Sequence, residues 1–195
     1  AFHHSPLIIN HSPINYKRAT MNRKTLTARI QEKLPKDTIG RYDLLPVLGD
    51  EDLMQEILVF LAAPFKDKAN CVAAPEALGW ILGTRLAHEM KLNFYPIRKS
   101  GRLPYQASDL ISVPFVDYSG QEKSLELPVR MPLKHKKVLI VDEWIETGAQ
   151  IQACIDLLKR SNAKVVGIAA IGIDHNEYVD QWISKKMLRF ISENL

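Results

Sequence analysis

The apolar residues of this chain gather into short unbroken runs, separated by stretches with a helical period. Val138 to Val141 is one such run, followed directly by the two acids Asp142 and Glu143. A run bounded in this way predicts a strand buried on both faces of a parallel sheet. After a turn containing Thr147-Gly148, the residues Ile151, Ile155, Leu157 and Leu158 recur on one face of a helix. The same reading gives helices over about 22–34 and 50–63, with a loop holding Pro35, Gly40 and Pro46 between them. A strand at 70–74, a turn at 75–79, a helix to Met90 and a strand at 93–98 follow. Two paired strands are predicted at 110–118 and 123–130 from their Val, Phe, Leu and Tyr content. The last units are a strand at 138–142, a helix at 149–160, a strand at 164–172 and a C-terminal helix from about 176 to 192. Strands alternating with helices predict an α/β fold, a parallel sheet with helical crossovers.

That pattern locates the chemistry. Ligands of open α/β sheets bind at the carboxyl ends of strands, and the free amides of a helix N-terminus attract phosphate. In 137–150 a strand ends on Asp142-Glu143 and a helix opens at Thr147-Gly148, so a sugar phosphate suits both parts. Its anion would meet the amides, and its hydroxyls the carboxylates. No G-x-x-x-x-G-K-[ST] occurs, which argues against a nucleotide P-loop. A second loop, Ala74 to Trp80, again joins a strand to a helix and offers amides to an anion. A third segment, Ile97 to Pro104, places Arg98, Lys99 and Arg102 at another strand end.

Composition removes several classes. At 195 residues the chain suits one well-buried core, and 46% apolar with 25% charged residues is an ordinary globular balance. The longest apolar stretch, Val165 to Ile173, is about half the length a membrane span requires, and no secretory leader is visible, so a cytoplasmic protein is expected. Cys71 and Cys154 fall in a predicted strand and helix and are expected to be reduced core residues. A net charge of +4 suits a polyphosphate substrate as well as nucleic acid. The cluster Lys134-His135-Lys136-Lys137 is open to two readings, a solvated loop or a phosphate or RNA contact. Residues 1–20 contain a near-duplication and no acidic residue, and Met21 would make a natural start. They are expected to be an extension outside the fold, and His3, His4 and His11 there lack the spacing of a metal site.

Val138 to Gln150 resembles the phosphoribosyl pyrophosphate signature of type I phosphoribosyltransferases in order and spacing over 13 consecutive positions. Glu146, Ala149 and Gln150 depart from it, standing where a small residue, a second glycine and a Ser or Thr are usual. Arg98 to Pro104 resembles the Arg-Lys-x-Gly-Lys-Leu-Pro stretch of the adenine branch, with Arg102 for a lysine. Glu76-Ala77-Leu78-Gly79-Trp80 resembles that branch's pyrophosphate turn, with Leu78 for an arginine. Asp43 to Leu48 is similar to the stretch that follows the base-binding hood.

The resemblance implies a Rossmann-like parallel sheet flanked by helices, in one domain from residue 21 with a hood over about 21–48. It implies transfer of a phosphoribosyl group to a purine, adenine first, in a homodimer, with Mg²⁺ held through the substrate and no metal ligand of the protein's own. Phosphoribosyl pyrophosphate would be bound by Asp142, Glu143, Glu146, Thr147, Gly148, Ala149, Gln150, Glu76, Ala77, Arg98, Lys99 and Arg102. Arg41 and Tyr42 would meet the base. Glu126 would sit on a mobile loop that closes over the reacting centre, and Glu146 would exchange a proton with the base. Asp142 and Glu143 complete the catalytic set. No membrane or nucleic-acid partner is expected. The alternatives are a regulatory protein that senses phosphoribosyl pyrophosphate on the same fold, and a transferase for another base.

Overall fold

The structure, a computed structural model, describes residues 22–36, 42–117 and 119–193. The N-terminal extension and Arg41 lie outside them. Helix α1 (Arg23–Lys33) starts on Asn22, whose side chain accepts from the Lys24 amide at 2.7 Å, and buries only Leu26 and Ile30. It stops at Leu34, before Pro35, as the steric bias of a residue preceding proline favours. A four-residue helix α2 (Leu45–Leu48) with Pro46 in its first turn stands where the sequence predicts only loop. Helix α3 (Glu51–Ala62) is capped by Asp50 and carries Glu51 and Asp52 in its first turn, matching its dipole.

Seven strands form one sheet: β1 (Cys71–Pro75), β2 (Asn93–Lys99), β3 (Leu110–Val116), β4 (Glu122–Pro128), β5 (Lys137–Ile145), β6 (Lys164–Ile173) and β7 (Leu188–Glu193). Their spatial order is β3-β4-β2-β1-β5-β6-β7. β2, β1, β5, β6 and β7 run parallel, and the β3–β4 hairpin joins the β2 edge antiparallel. Helices α4 (Leu78–Met90), α5 (Ala149–Arg160) and α6 (Glu177–Ser184) make the crossovers. The alternation of strand side chains divides the core in two. Val72, Ala74, Leu139 and Val141 face the layer of α1 to α4, where Leu53, Ile57, Leu82 and Leu86 are fully buried. Cys71, Ala73, Val138 and Ile140 face Ile151, Cys154 and Leu158 of α5 and the inner side of the hairpin. Both cysteines are free and buried, and burial pushes the Cys71 thiol up to about 11.

The predicted C-terminal helix over 176–192 is corrected. α6 ends at Ser184, Lys186 turns the chain with φ 55°, and β7 then pairs parallel with β6. Its short apolar run fits a helix face or an edge strand equally well by spacing, and the open edge of β6 decides between them. α1 then covers the new edge, with Arg23 Nε and Thr27 Oγ1 donating to the Ile191 carbonyl at 2.7 and 3.0 Å.

His175, in the β6–α6 connection, contacts Asp180 through Nδ1 at 2.8 Å and Glu193 through Nε2 at 2.9 Å. Asp180 first and Glu193 second raise its pKa. A raised folded-state pKa gives stability that is complete below the unfolded value of about 6.5 and is lost as pH rises through the folded one. The group is exposed, so the effect is small. His175→Gln should therefore melt a degree or two below the parent at about pH 6 and together with it at about pH 9, by thermal denaturation. A gap that grows with pH would refute the assignment.

Candidate active site

Three of the helices begin with a side-chain cap: Asn22 on α1, Asp50 on α3, and Asn176 on α6. α4 and α5 do not. The first follows β1 through Glu76 and Ala77, whose connecting peptide is cis; the second follows β5 through Glu146, Thr147 and Gly148. Both uncapped N-termini border one cleft of about 240 Å³ at the carboxyl ends of the strands. Unsatisfied amides and the positive end of the helix dipole make such ends ready sites for anions.

Between the two helix ends stand the acids of β5, which runs on to Ile145 rather than stopping at 142. Asp142 is 3% exposed, accepts from the Glu143 amide and from Gln150 Nε2, each at 3.1 Å, and is crowded by α4. A Cβ on Gly79 would lie 2.7 Å from Asp142 Oδ1, so only glycine lets that helix come so near. Burial first, and the neighbouring Glu143 carboxylate second, hold the Asp142 pKa well above the usual carboxylate range. Glu143 Oε2 is buried with no hydrogen-bond partner among the described residues. An unsatisfied buried carboxylate oxygen is costly, and its natural complement is a hydroxyl or a cation.

The phosphate-loop departures find physical accounts. Gly148 adopts φ 77°, while Ala149 is already the first helical residue and has no positive φ, so the second glycine is dispensable. Its amide points toward Thr147 Oγ1 at 3.4 Å. Gln150 directs its side-chain amide to Asp142 rather than toward the loop.

Of the residues expected at the site, Glu76, Ala77, Lys99, Asp142, Glu143, Glu146, Thr147, Gly148 and Gln150 line the cleft. Ala149, Arg98 and Arg102 do not. Arg98 Nε lies 3.0 Å from Glu76 Oε2, too far out of line for a hydrogen bond, and Arg102 Nε lies 3.4 Å from Glu76 Oε1. The Arg98 guanidinium also sits 5.1 Å from the Trp80 ring centre. Tyr42 is exposed, with its ring 4.7 Å from that of Trp144, which lines the cleft.

The expectation that Glu126 rides a mobile loop is corrected. It lies within β4, opposite Arg98 and Ser112, buried, and accepts from the Gly101 amide at 3.1 Å. The acid that the hairpin does bring to the cleft is Asp117, beside Lys123. These two are ion-paired, and Asp117 also accepts from the amides of Ser119 and Gln121 and from the Ser119 hydroxyl. Lys123 first and Ser119 second hold its carboxyl far below the ordinary range. Phe115, Trp144 and Ile151 complete the wall. Asp117-Tyr118-Ser119-Gly120 between two strands marks a turn in sequence, but which face of the hairpin meets the cleft is set by register.

Among the described residues no helix is long and apolar enough to cross a membrane. A phosphoribosyl transferase domain model matches residues 51–192. The chain is 36% identical over 138 residues to an adenine phosphoribosyltransferase of Solidesulfovibrio magneticus, covering 70% of this chain and 78% of that one. It is 34% identical over 144 residues to that of Symbiobacterium thermophilum, covering 73% and 82%. The crystal structure of adenine phosphoribosyltransferase from Thermoanaerobacter pseudethanolicus superposes with a TM-score of 0.74 at 25% identity, over 86% of this chain and 99% of that one. With the acidic pair, the glycine-hinged loop and the sheet order all in place, the chain belongs to the phosphoribosyl transferase domain family.

Proposed function

We propose that this protein transfers the phosphoribosyl group of phosphoribosyl pyrophosphate to adenine, giving the nucleoside monophosphate and pyrophosphate. The observation that carries this reading is the pair of uncapped helix N-termini flanking the Asp142–Glu143 pair in one cleft. The names of the adenine phosphoribosyltransferase relatives support the choice of base. The bond from the anomeric carbon to pyrophosphate breaks, a ring nitrogen of the base bonds to that carbon, and the nitrogen loses its proton.

Amides from Thr147 to Gln150 hold the 5′-phosphate and fix one end of the sugar. Asp142 and Glu143 accept from the ribose hydroxyls and stabilise the positive charge that develops on the ring. Amides of the Ala77 turn and the Lys99 ammonium take the pyrophosphate, and Arg98 and Arg102 add charge from behind Glu76. Tyr42 and Trp144 give the base an aromatic end, and Arg41, the other residue the resemblance assigns to the base, lies outside the described residues. In this reading Glu146, which lines the cleft, exchanges the base proton, and the hairpin contributes Asp117 rather than Glu126, supported by the place of Asp117 in the cleft lining. Adjacent carboxylates beside an expected diphosphate suit Mg²⁺, which takes few protein ligands and prefers carboxylate and phosphate oxygens. When bound with the substrate it neutralises charge on the leaving group. A homodimer in the cytoplasm belongs to the same reading, supported by the resemblance.

The test is incubation with phosphoribosyl pyrophosphate, Mg²⁺ and a panel of purine and pyrimidine bases, with release of pyrophosphate measured. Turnover with adenine well above the other bases is expected. Binding without turnover on any base would favour the sensing role, and preference for another base would revise the substrate.

A further inference from the structure

Two residues of the β6–α6 connection, Asp174 and Asn176, hold the three residues that separate the acidic pair from the phosphate loop. The Asp174 amide donates to the Ile145 carbonyl at 2.8 Å, and Asp174 Oδ1 accepts from Trp144 Nε1 at 3.1 Å. Asn176 Nδ2 donates to the Glu146 carbonyl at 2.6 Å and to the Asp174 carbonyl at 3.0 Å. Asn176 Oδ1 meanwhile accepts from the Val179 amide at 3.0 Å, capping α6. The loop glycine packs into the same corner, where a Cβ on Gly148 would lie 2.8 Å from Tyr178 Cβ and 3.0 Å from Asn176 Oδ1. Between them His175 is anchored to Asp180 and Glu193, and Glu193 in turn to Arg23 at 3.0 Å.

The two ends of the Asn176 amide therefore do different things. Its oxygen serves its own helix. Its nitrogen fixes the carbonyl of the peptide joining Glu146 to Thr147. A trans peptide is planar, with its C=O and N–H pointing in opposite directions. Holding that carbonyl toward Asn176 turns the Thr147 N–H the opposite way, and Thr147 is a residue of the cleft lining. An amide aimed in this way needs no reorganisation when an anion arrives.

We propose that Asn176 is a positioning residue for the 5′-phosphate loop, acting through its Nδ2 hydrogen bond to the Glu146 carbonyl. This rests on the reading of that loop as a phosphate site. Serine caps a helix about as well as asparagine but cannot supply a donor at that reach, whereas alanine does neither. Asn176→Ser should keep the cap of α6 and melt between the parent and Asn176→Ala, while weakening ribose 5-phosphate binding about 10-fold, the scale of one hydrogen bond, with inorganic pyrophosphate binding unchanged. Asn176→Ala should lose both melting temperature and ribose 5-phosphate affinity. Calorimetry with each ligand and thermal denaturation read these out. If Asn176→Ser binds ribose 5-phosphate like the parent, or loses both ligands alike, the positioning role is overturned. Failure of the parent itself to bind ribose 5-phosphate would instead sink the reading of the loop, and the proposal with it.

Discussion

Replacing Asp142 by Asn and Glu143 by Gln is expected to make the protein more heat-stable and to weaken its hold on phosphoribosyl pyrophosphate. Asp142 is buried beside a second carboxylate, and its pKa is raised. A raised carboxyl pKa in the folded state means that folding stability falls as pH climbs above the unfolded value of about 3.9, because the folded chain must keep the proton or bear a buried charge. An amide pair has no such cost and still accepts from Gln150 Nε2 and the Glu143-position amide. The melting temperature should rise by a few degrees, about 2–4 °C for each kcal/mol relieved in a chain of this size, with a larger gain at about pH 8 than at about pH 5. Affinity for phosphoribosyl pyrophosphate with Mg²⁺ should drop about 10-fold or more, the scale of hydrogen bonds to charged groups. Loss of stability with unchanged affinity would reverse the assignment of both acids.

Gly148→Ala should be the most damaging single change in the loop. Gly148 has φ 77°, a conformation that costs an L-residue about 1–2 kcal/mol. The added methyl would also meet Tyr178 Cβ at 2.8 Å, a backbone-near atom that cannot swing aside. Overpacking of that kind adds about 1–3 kcal/mol, so a fall in melting temperature on the order of 10 °C is expected. The KM for phosphoribosyl pyrophosphate should rise by about 10- to 100-fold, because the loop must move off its amide geometry. Gly101 is the comparison: it has φ 73°, but a methyl there meets nothing within 4 Å. Gly101→Ala should therefore show the backbone cost alone, and similar losses in the two variants would remove the Tyr178 contact from the explanation.

Much of the site was legible because it is local in sequence. The Val138 to Val141 run, the acids behind it and the glycine of the next turn are neighbours in the chain, so their spacing alone places them on one strand end and one helix start. Arg98 and Arg102 were legible as a cluster but not as partners of Glu76, since that pairing joins two loops more than 20 residues apart. Glu126 and Asp117 show the limit most clearly. Both belong to the same hairpin, Glu126 within β4 and Asp117 just past the end of β3, and which of them reaches the cleft depends on the pairing register, which no single strand determines. The last strand was hidden for a related reason, because Leu188 to Glu193 becomes a strand only where β6 leaves an edge to pair with. Trp144 falls inside the matched signature as an apolar position, yet its contacts with Tyr42 and Asp174 come from segments about 100 and 30 residues away.

The missing caps on α4 and α5 bear on the protein's life in a cell. An anion bound at these two helix ends would complete them and so become a component of the folded state. Ligand that binds only the native form lowers the population of the open, protease-sensitive one in proportion to its saturation. Abundance of the protein would then follow the supply of its own substrate without any change in synthesis, starvation for the sugar phosphate shortening its half-life and plenty extending it.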